Sequence, residues 1–391
     1  MRFAKITDRV AGLGSDKWAV HVEGKHMLGA GHKMIFLSIG EPDLPPAAAI
    51  LDVAATQMKA GRTRYSGGNG EKNLLDALSF HYTKQTGREI APNQFLFVPG
   101  TQTALAVAFL SIIESGDEVI LLDPYYATYE AVISAPGGIP VSVKLDADRG
   151  FHPDIASIER AITPRTRALL LNSPSNPTGA VFTESEIKAI AALAVKHDLW
   201  IVSDEVYASL IHGGGKFYSP FFDKALEERV IVCSSISKSH ALPGFRAGWI
   251  AASAAYCEKV IAVSESLLFG SPQFLQDATA FAVTHEFAET REMQRLYVVR
   301  AEALLKGLRG SNRVTAHMPE GGMFVMVDVR KTGLSGEAFA RRLLREKNVV
   351  TMPGESFGVG GAGHLRVALS VDATEIAEAA RRIAELAGEI T

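Results

Sequence analysis

With 391 residues the chain exceeds what one ordinary core accommodates, so a large domain with a smaller companion is expected. Hydrophobic residues make up 47% and charged residues 21%, and the formal net charge is −3. That balance suits a soluble globular protein and gives no broad electrostatic reason to hold nucleic acid or an anionic membrane.

The first residues, MRFAKITDRVAGLGSDKW, mix charges throughout and lack the apolar stretch of a signal peptide. No run approaches the roughly 18 apolar residues of a membrane span. Two cysteines, Cys233 and Cys257, make no disulfide framework, so a reducing compartment and hence the cytoplasm is the expectation. The 11 histidines show no metal-ligand spacing, and no metal is expected.

Short apolar runs then alternate with helical patterns. Strands are expected at Phe95–Val98, Val119–Leu122, Ala168–Asn172, Leu199–Ser203, Arg229–Cys233 and Gly248–Ala252. They are rich in Val, Ile and Leu, as strands covered on both faces should be. Between them Glu184–His197 reads as a helix, with Ile187, Ile190, Ala191 and Ala194 on one face and a capping box from Thr183 to Glu186. Strand, helix, strand in this order predicts an α/β sheet. After about Ala280 the character changes. Helical stretches (Glu286–Leu308, Glu337–Glu346, Ala373–Ala387) surround strand-like Met323–Asp328 and His364–Ser370. A smaller α+β unit of residues 281–391 is expected, joined by residues 1–45, with residues 46–280 as the large domain.

Polar groups gather where the expected strands end, which is where open α/β sheets bind ligands. Pro99-Gly100-Thr101-Gln102-Thr103 follows the first strand and opens the apolar helix Ala104–Ile113, whose free amides suit an anion. Tyr125 and Tyr126, after Asp123-Pro124, offer a flat face for a ring. Asn172–Gly179, NSPSNPTG, presents Asn176 in a turn. Asp204-Glu205-Val206-Tyr207 puts an acid at a buried strand end. That is costly without a cation such as a protonated pyridine nitrogen, while Tyr207 has a hydroxyl for a ring oxygen. Ser234-Ser235-Ile236-Ser237-Lys238 sets a lysine against an apolar strand, where burial and cations lower its pKa and favour attack on a carbonyl. Arg246, in Gly244-Phe245-Arg246, joins Ser235 and Ser237 as a phosphate partner. Singly, each has a plainer reading: an ordinary βα turn, a buried aromatic, a helix-entry loop, a rim acid satisfied by amides, a surface lysine.

Together these residues resemble the fold-type I pyridoxal-phosphate enzymes, specifically the class I/II, aspartate aminotransferase-like group. NPTG, DEVY, SxSK and GFRAGW occur in this order and spacing, and the resemblance runs from Ser38-Ile39-Gly40-Glu41-Pro42-Asp43 to Arg366. It implies a three-layer αβα large domain with a mainly parallel mixed sheet, plus a smaller α+β domain. It implies pyridoxal 5'-phosphate held by Lys238 as a Schiff base, with Lys238 then moving the proton between Cα and C4′. Asp204 would keep the pyridine nitrogen protonated. Tyr207 and Asn176 would bond the ring's phenolic oxygen. Gly100, Thr101, Gln102, Ser235 and Arg246 would cradle the phosphate, with Ser237 beside them. Tyr126 stands where many relatives have Trp. Arg366, in HLRVALS, would grip the substrate carboxylate and Gly40 would lie beside the substrate. Tyr65, in RYSGGNG, would reach the phosphate of a neighbouring subunit's cofactor, which implies a homodimer with a shared site. The implied reaction is ping-pong amino transfer from an L-amino acid to a 2-oxo acid. Aspartate is the commonest label in this subgroup, with aromatic and basic donors as alternatives. A β-eliminating or decarboxylating lyase on the same fold is the alternative reaction.

Two other readings use other motifs. Gly354-Glu355-Ser356-Phe357-Gly358 fits the GxSxG serine-hydrolase pattern and His212-Gly213-Gly214-Gly215 an oxyanion-hole motif. A nucleophile elbow needs a helix after the serine, and the glycine-rich run to Gly363 is a poor one. A regulatory scaffold would usually carry a DNA-binding domain ahead of the fold, for which the chain has no room.

Overall fold

The computed structural model describes residues 1–390. Its strands in chain order are β1 (Ile35–Phe36), β2 (Phe95–Val98), β3 (Glu118–Asp123), β4 (Ile139–Lys144), β5 (Thr166–Asn172), β6 (Trp200–Asp204), β7 (Val230–Ser235), β8 (Gly248–Ala251), β9 (Thr315–Ala316), β10 (Phe324–Asp328), β11 (Val349–Val350), β12 (Met352–Pro353) and β13 (His364–Ala368). Seven form one sheet in the order β2-β8-β7-β6-β5-β3-β4. The pairs from β7 to β4 are parallel, and β8 runs antiparallel to both β7 and β2. The fold is therefore α/β with a mixed, mainly parallel sheet.

Alternate residues of each strand feed opposite cores. Leu169, Leu171, Ile201 and Val232 pack under helices that include Lys72–Thr86 and Glu184–Lys196. Leu170, Val202, Ile231 and Cys233 face the other way, toward Thr101–Ile112 and Ala254–Leu268. Each Leu or Ile so buried contributes roughly 1.5–3 kcal/mol. The result is a helix–sheet–helix sandwich. Cys233 is a core residue, as its apolar run suggested, and Cys257 is buried too. The capping box forms as read, with Thr183 Oγ1 accepting from Glu186 N and Glu186 Oε2 accepting from Thr183 N.

A further core is built by Val20, Ile35 and Leu37 with residues from Met293 onward, and Val206, Tyr207 and Leu210 reach into it. It lies among the helices Ala288–Leu308, Gly336–Lys347 and Ala373–Glu389 and the sheet β12-β13-β10-β9. The N-terminal segment joins it through β1, which pairs in parallel with β11. Two differences from the sequence reading stand out. The helix after Gly100 begins at Thr101, three residues earlier than expected. The edge strand β4 was not anticipated, because most of its residues are solvent-facing and its apolar run is broken by Pro140, Ser142 and Lys144. Among the described residues no helix is long and apolar enough to cross a membrane.

Candidate active site

A cavity of about 320 Å³ opens beyond the carboxyl ends of β5, β6 and β7. Its walls come from the seven-stranded sheet and from the second core, including Gly40, Phe324 and Arg366. Lys238 sits on the short helix Ile236–Ser239 that follows β7, and its Nζ donates to Gly40 O at 2.7 Å. Burial lowers its pKa to about 8. Glu41 opposes that shift, and Arg366 and Arg246 add to it.

Asp204 ends β6 with 4% of its surface exposed. Tyr129 donates its hydroxyl to Oδ2 at 2.7 Å and Val206 its amide to Oδ1 at 3.2 Å. Burial still raises the carboxyl to about 6 against these two donors. Glu205, next in chain, turns away to Ser203 and Ser219. Asn172 links the neighbouring parts: its Nδ2 donates to Asp204 O at 3.0 Å and its Oδ1 accepts from Asn176 N at 2.7 Å. Tyr207 is buried edge-on to Phe324, with centroids 6.0 Å apart.

Arg366, on β13, is 1% exposed and lies between Phe324 and Phe357, its Cζ 4.3 and 4.4 Å from their ring centroids. Nη1 donates to Asn176 Oδ1 at 2.9 Å and Nη2 to Ser38 O at 2.5 Å, while buried Nε has no partner. Burial pulls its pKa to about 10, so the guanidinium stays charged at neutral pH.

At the other end, Gly100 (φ +85°) caps the helix Thr101–Ile112, and a Cβ there would stand 2.4 Å from Arg246 Nη2. Thr101 Oγ1 donates to Ser235 Oγ at 2.9 Å, and Ser235 Oγ accepts from Ser237 N at 3.3 Å. Thr101, Gln102, Ser235, Ser237 and Arg246 all line the cavity, as does Tyr126, whose ring stands edge-on to Tyr129. Helix amides, hydroxyls and one guanidinium converge as an anion cradle.

Most of the residues named from sequence therefore meet in one cleft. Gly100 sits beneath Arg246, just off the lining, and Gly40 packs so closely that a Cβ would meet the Phe324 ring at 2.2 Å. Tyr65 lies apart, 82% exposed and edge-on to Phe269. Tyr129, Asn172, Trp18, Phe324 and Phe357 were not found from sequence. Of these only Tyr129 carried a signal, one helical turn beyond Tyr126. The hydrolase motif does not assemble: Ser356 Oγ donates to Lys17 O and is followed by a 3-10 turn, and the His212 ring meets Gly322 O. Among the described residues no cluster of three His, Cys, Asp or Glu side chains could hold a metal.

The family model for aminotransferase class I and II matches residues 32–383. The arginine–pyruvate transaminase AruH of Pseudomonas aeruginosa is 38% identical over 390 residues, covering 100% of this chain and 99% of that protein. A solved structure of a Thermus thermophilus aspartate aminotransferase double mutant superposes with a TM-score of 0.93 at 30% identity, covering 99% of this chain and 100% of that one. The aromatic aminotransferase of Pyrococcus horikoshii gives 0.88 at 29% identity, covering 94% and 99%.

Proposed function

The chain belongs to the class I and II aminotransferases, and on that premise we propose that it transfers amino groups with pyridoxal 5'-phosphate as its resident cofactor. The observation that carries this reading is the meeting of three charged groups in one cleft: the part-buried amine of Lys238, the buried carboxylate of Asp204 and the buried guanidinium of Arg366. Two of them lack something the cofactor or substrate would supply. Asp204 has no cation, and Arg366 Nε has no acceptor. The cradle around Gly100 would be filled by a Cβ, which suits close approach of a phosphate.

Lys238 would hold the cofactor covalently and Asp204 its ring nitrogen. Tyr207 and Asn176 would bond its phenolic oxygen, and Tyr126 would cover its face. Gly100, Thr101, Gln102, Ser235, Ser237 and Arg246 would take its phosphate, with Tyr65 reaching across from a second copy in a homodimer. When bound, the group supplies an electron-accepting ring that spreads the negative charge left at a substrate Cα. The chain's own residues do the rest. Arg366 binds the α-carboxylate through its guanidinium and so fixes the Cα–H bond. Gly40, with no side chain, leaves room beside the substrate. Asp204 keeps the ring nitrogen protonated. Lys238 Nζ would be the group that takes the proton from the substrate Cα and passes it on toward the cofactor. The net exchange would yield one 2-oxo acid from the amino donor and consume a second as acceptor, a ping-pong sequence.

We assign residues 46–280 to a large unit and 1–45 with 281–391 to a small one, supported by the further core, whose buried members come from the latter apart from Val206, Tyr207 and Leu210. Two unpaired, buried cysteines support the cytoplasm. The named relatives frame the donors to test: L-arginine, L-aspartate and aromatic amino acids, with pyruvate and 2-oxoglutarate as acceptors. The test follows the visible spectrum of the loaded enzyme in half-reactions with each donor. Donor-dependent bleaching with stoichiometric oxo acid is expected, and Lys238→Ala should lose both the wild-type spectrum and turnover. Release of ammonia in place of amino transfer, or an active Lys238→Ala enzyme, would overturn the reading.

A further inference from the structure

Arg366 depends on a brace that is not part of any strand. Phe324, on one side of it, belongs to β10, which is paired with β13 itself. Phe357, on the other, ends the 3-10 turn Gly354–Phe357 and leads into Gly358-Val359-Gly360-Gly361, which has little side chain to pack. Two contacts from the end of β3 in the large sheet hold this segment. Asp123, the last residue of β3 and 2% exposed, accepts the Gly360 amide at Oδ1 (2.8 Å). Two residues on, Tyr125 N donates to Phe357 O at 2.8 Å. The fit is close. At Gly358 (φ +113°) a Cβ would stand 2.2 Å from Asp123 Oδ1, and at Gly360 one would stand 2.3 Å from Asp123 O. The glycines let the segment reach the carboxylate, and the carboxylate gives a buried amide an acceptor.

We infer that Asp123 is a positioning residue for the substrate carboxylate: it anchors the 357–361 segment so that Phe357 keeps the Arg366 guanidinium stacked at the pocket wall. This rests on the assignment of Arg366 as the carboxylate-binding group. The same turn carries Tyr126 three residues later, so residues 123–126 set the spacing between the ring wall and the carboxylate clamp.

Four variants of the loaded enzyme test this: Asp123→Ala, Asp123→Asn, Phe357→Leu and the Asp123→Ala/Phe357→Leu double. Asp123→Ala should raise KM for both amino donor and oxo acceptor roughly tenfold. It should leave kcat and the spectrum of bound cofactor near wild type. Asp123→Asn keeps an oxygen for the Gly360 amide and should restore most of the affinity. Phe357→Leu should reproduce the KM effect, and the double variant should be little worse than the worse single, since both act on one element. Should Asp123→Ala not fold, Gly358→Ala pushes the segment off the carboxylate from the other side and should raise KM alone. Unchanged KM in the foldable variant, additive effects in the double, or parallel loss of cofactor and kcat would overturn the inference. If Arg366→Lys also leaves KM unchanged, the failure lies in the assignment of Arg366. If Arg366→Lys raises KM and Asp123→Ala does not, it lies here.

Discussion

Asp204 shows how much one neighbour can matter at the scale of a residue. Its protein donors are a phenol and an amide, and Tyr129 is the shorter contact. A hydrogen bond to a charged group contributes about 1.5–3 kcal/mol. Tyr129→Phe should therefore push the carboxyl further up and lower kcat by roughly tenfold, with donor KM little changed. A variant with full kcat would mean that Asp204 is held without the phenol. Arg366→Lys exchanges a planar fork for a point charge, and losing such a buried contact costs about 2 kcal/mol or more. KM for amino acids should rise about thirtyfold or more, with the cofactor spectrum retained. An unchanged KM would identify another carboxylate-binding group. Lys238, Asp204 and Asn176 were legible in the sequence because each sits in a short polar motif at or just past the end of an apolar strand, whereas Arg366, in mid-strand, was marked only by the family resemblance. Phe357 and Trp18 were not, because their roles arise only when distant segments meet.

At the scale of an element, the turn from β2 into its helix illustrates a backbone-determined site. The helix starts at Thr101 because Gly100, at φ +85°, turns the chain at once, leaving the first amides free at the cleft. Gly100→Ala would combine a strained φ with a methyl against the Arg246 guanidinium. Strain of this kind costs about 1–3 kcal/mol. The dissociation constant for pyridoxal phosphate should rise about tenfold, measured by titrating the apoenzyme. Unaltered affinity would show that Arg246 can move aside freely. The central strands were readable because both their faces are apolar, so composition alone marks them. β4 escaped notice because an edge strand with one wet face has no such run.

Three seams join the molecule as a whole. β1 pairs with β11, Arg300 makes a bidentate contact to Asp43, and His152 touches Glu186 through Nδ1 (3.0 Å) and Glu320 through Nε2 (3.1 Å). Burial opposes charge on His152, but Glu186 and Glu320 outweigh it and its pKa is raised above 6.5. A raised histidine contributes stability that is complete below the unfolded value and fades as pH climbs through the folded one. The Tm deficit of His152→Gln should thus be largest near about pH 6 and shrink toward about pH 8.5. A deficit independent of pH would assign His152 a packing role. The sequence reading expected residues 1–45 to join the C-terminal unit, but the individual pairs were not readable, since their partners lie far apart along the chain.

The first seam also constrains the order in which the protein can be made. All strands of the large sheet have been synthesised by Ala251, whereas Ile35 and Phe36 find their partners only at Val349 and Val350. At about 5–20 residues per second, the nascent N-terminal segment waits roughly 15–60 s on the ribosome before its β-bridge can close. The surface that carries Gly40 toward the lysine is therefore completed only after every strand of the large sheet is in place.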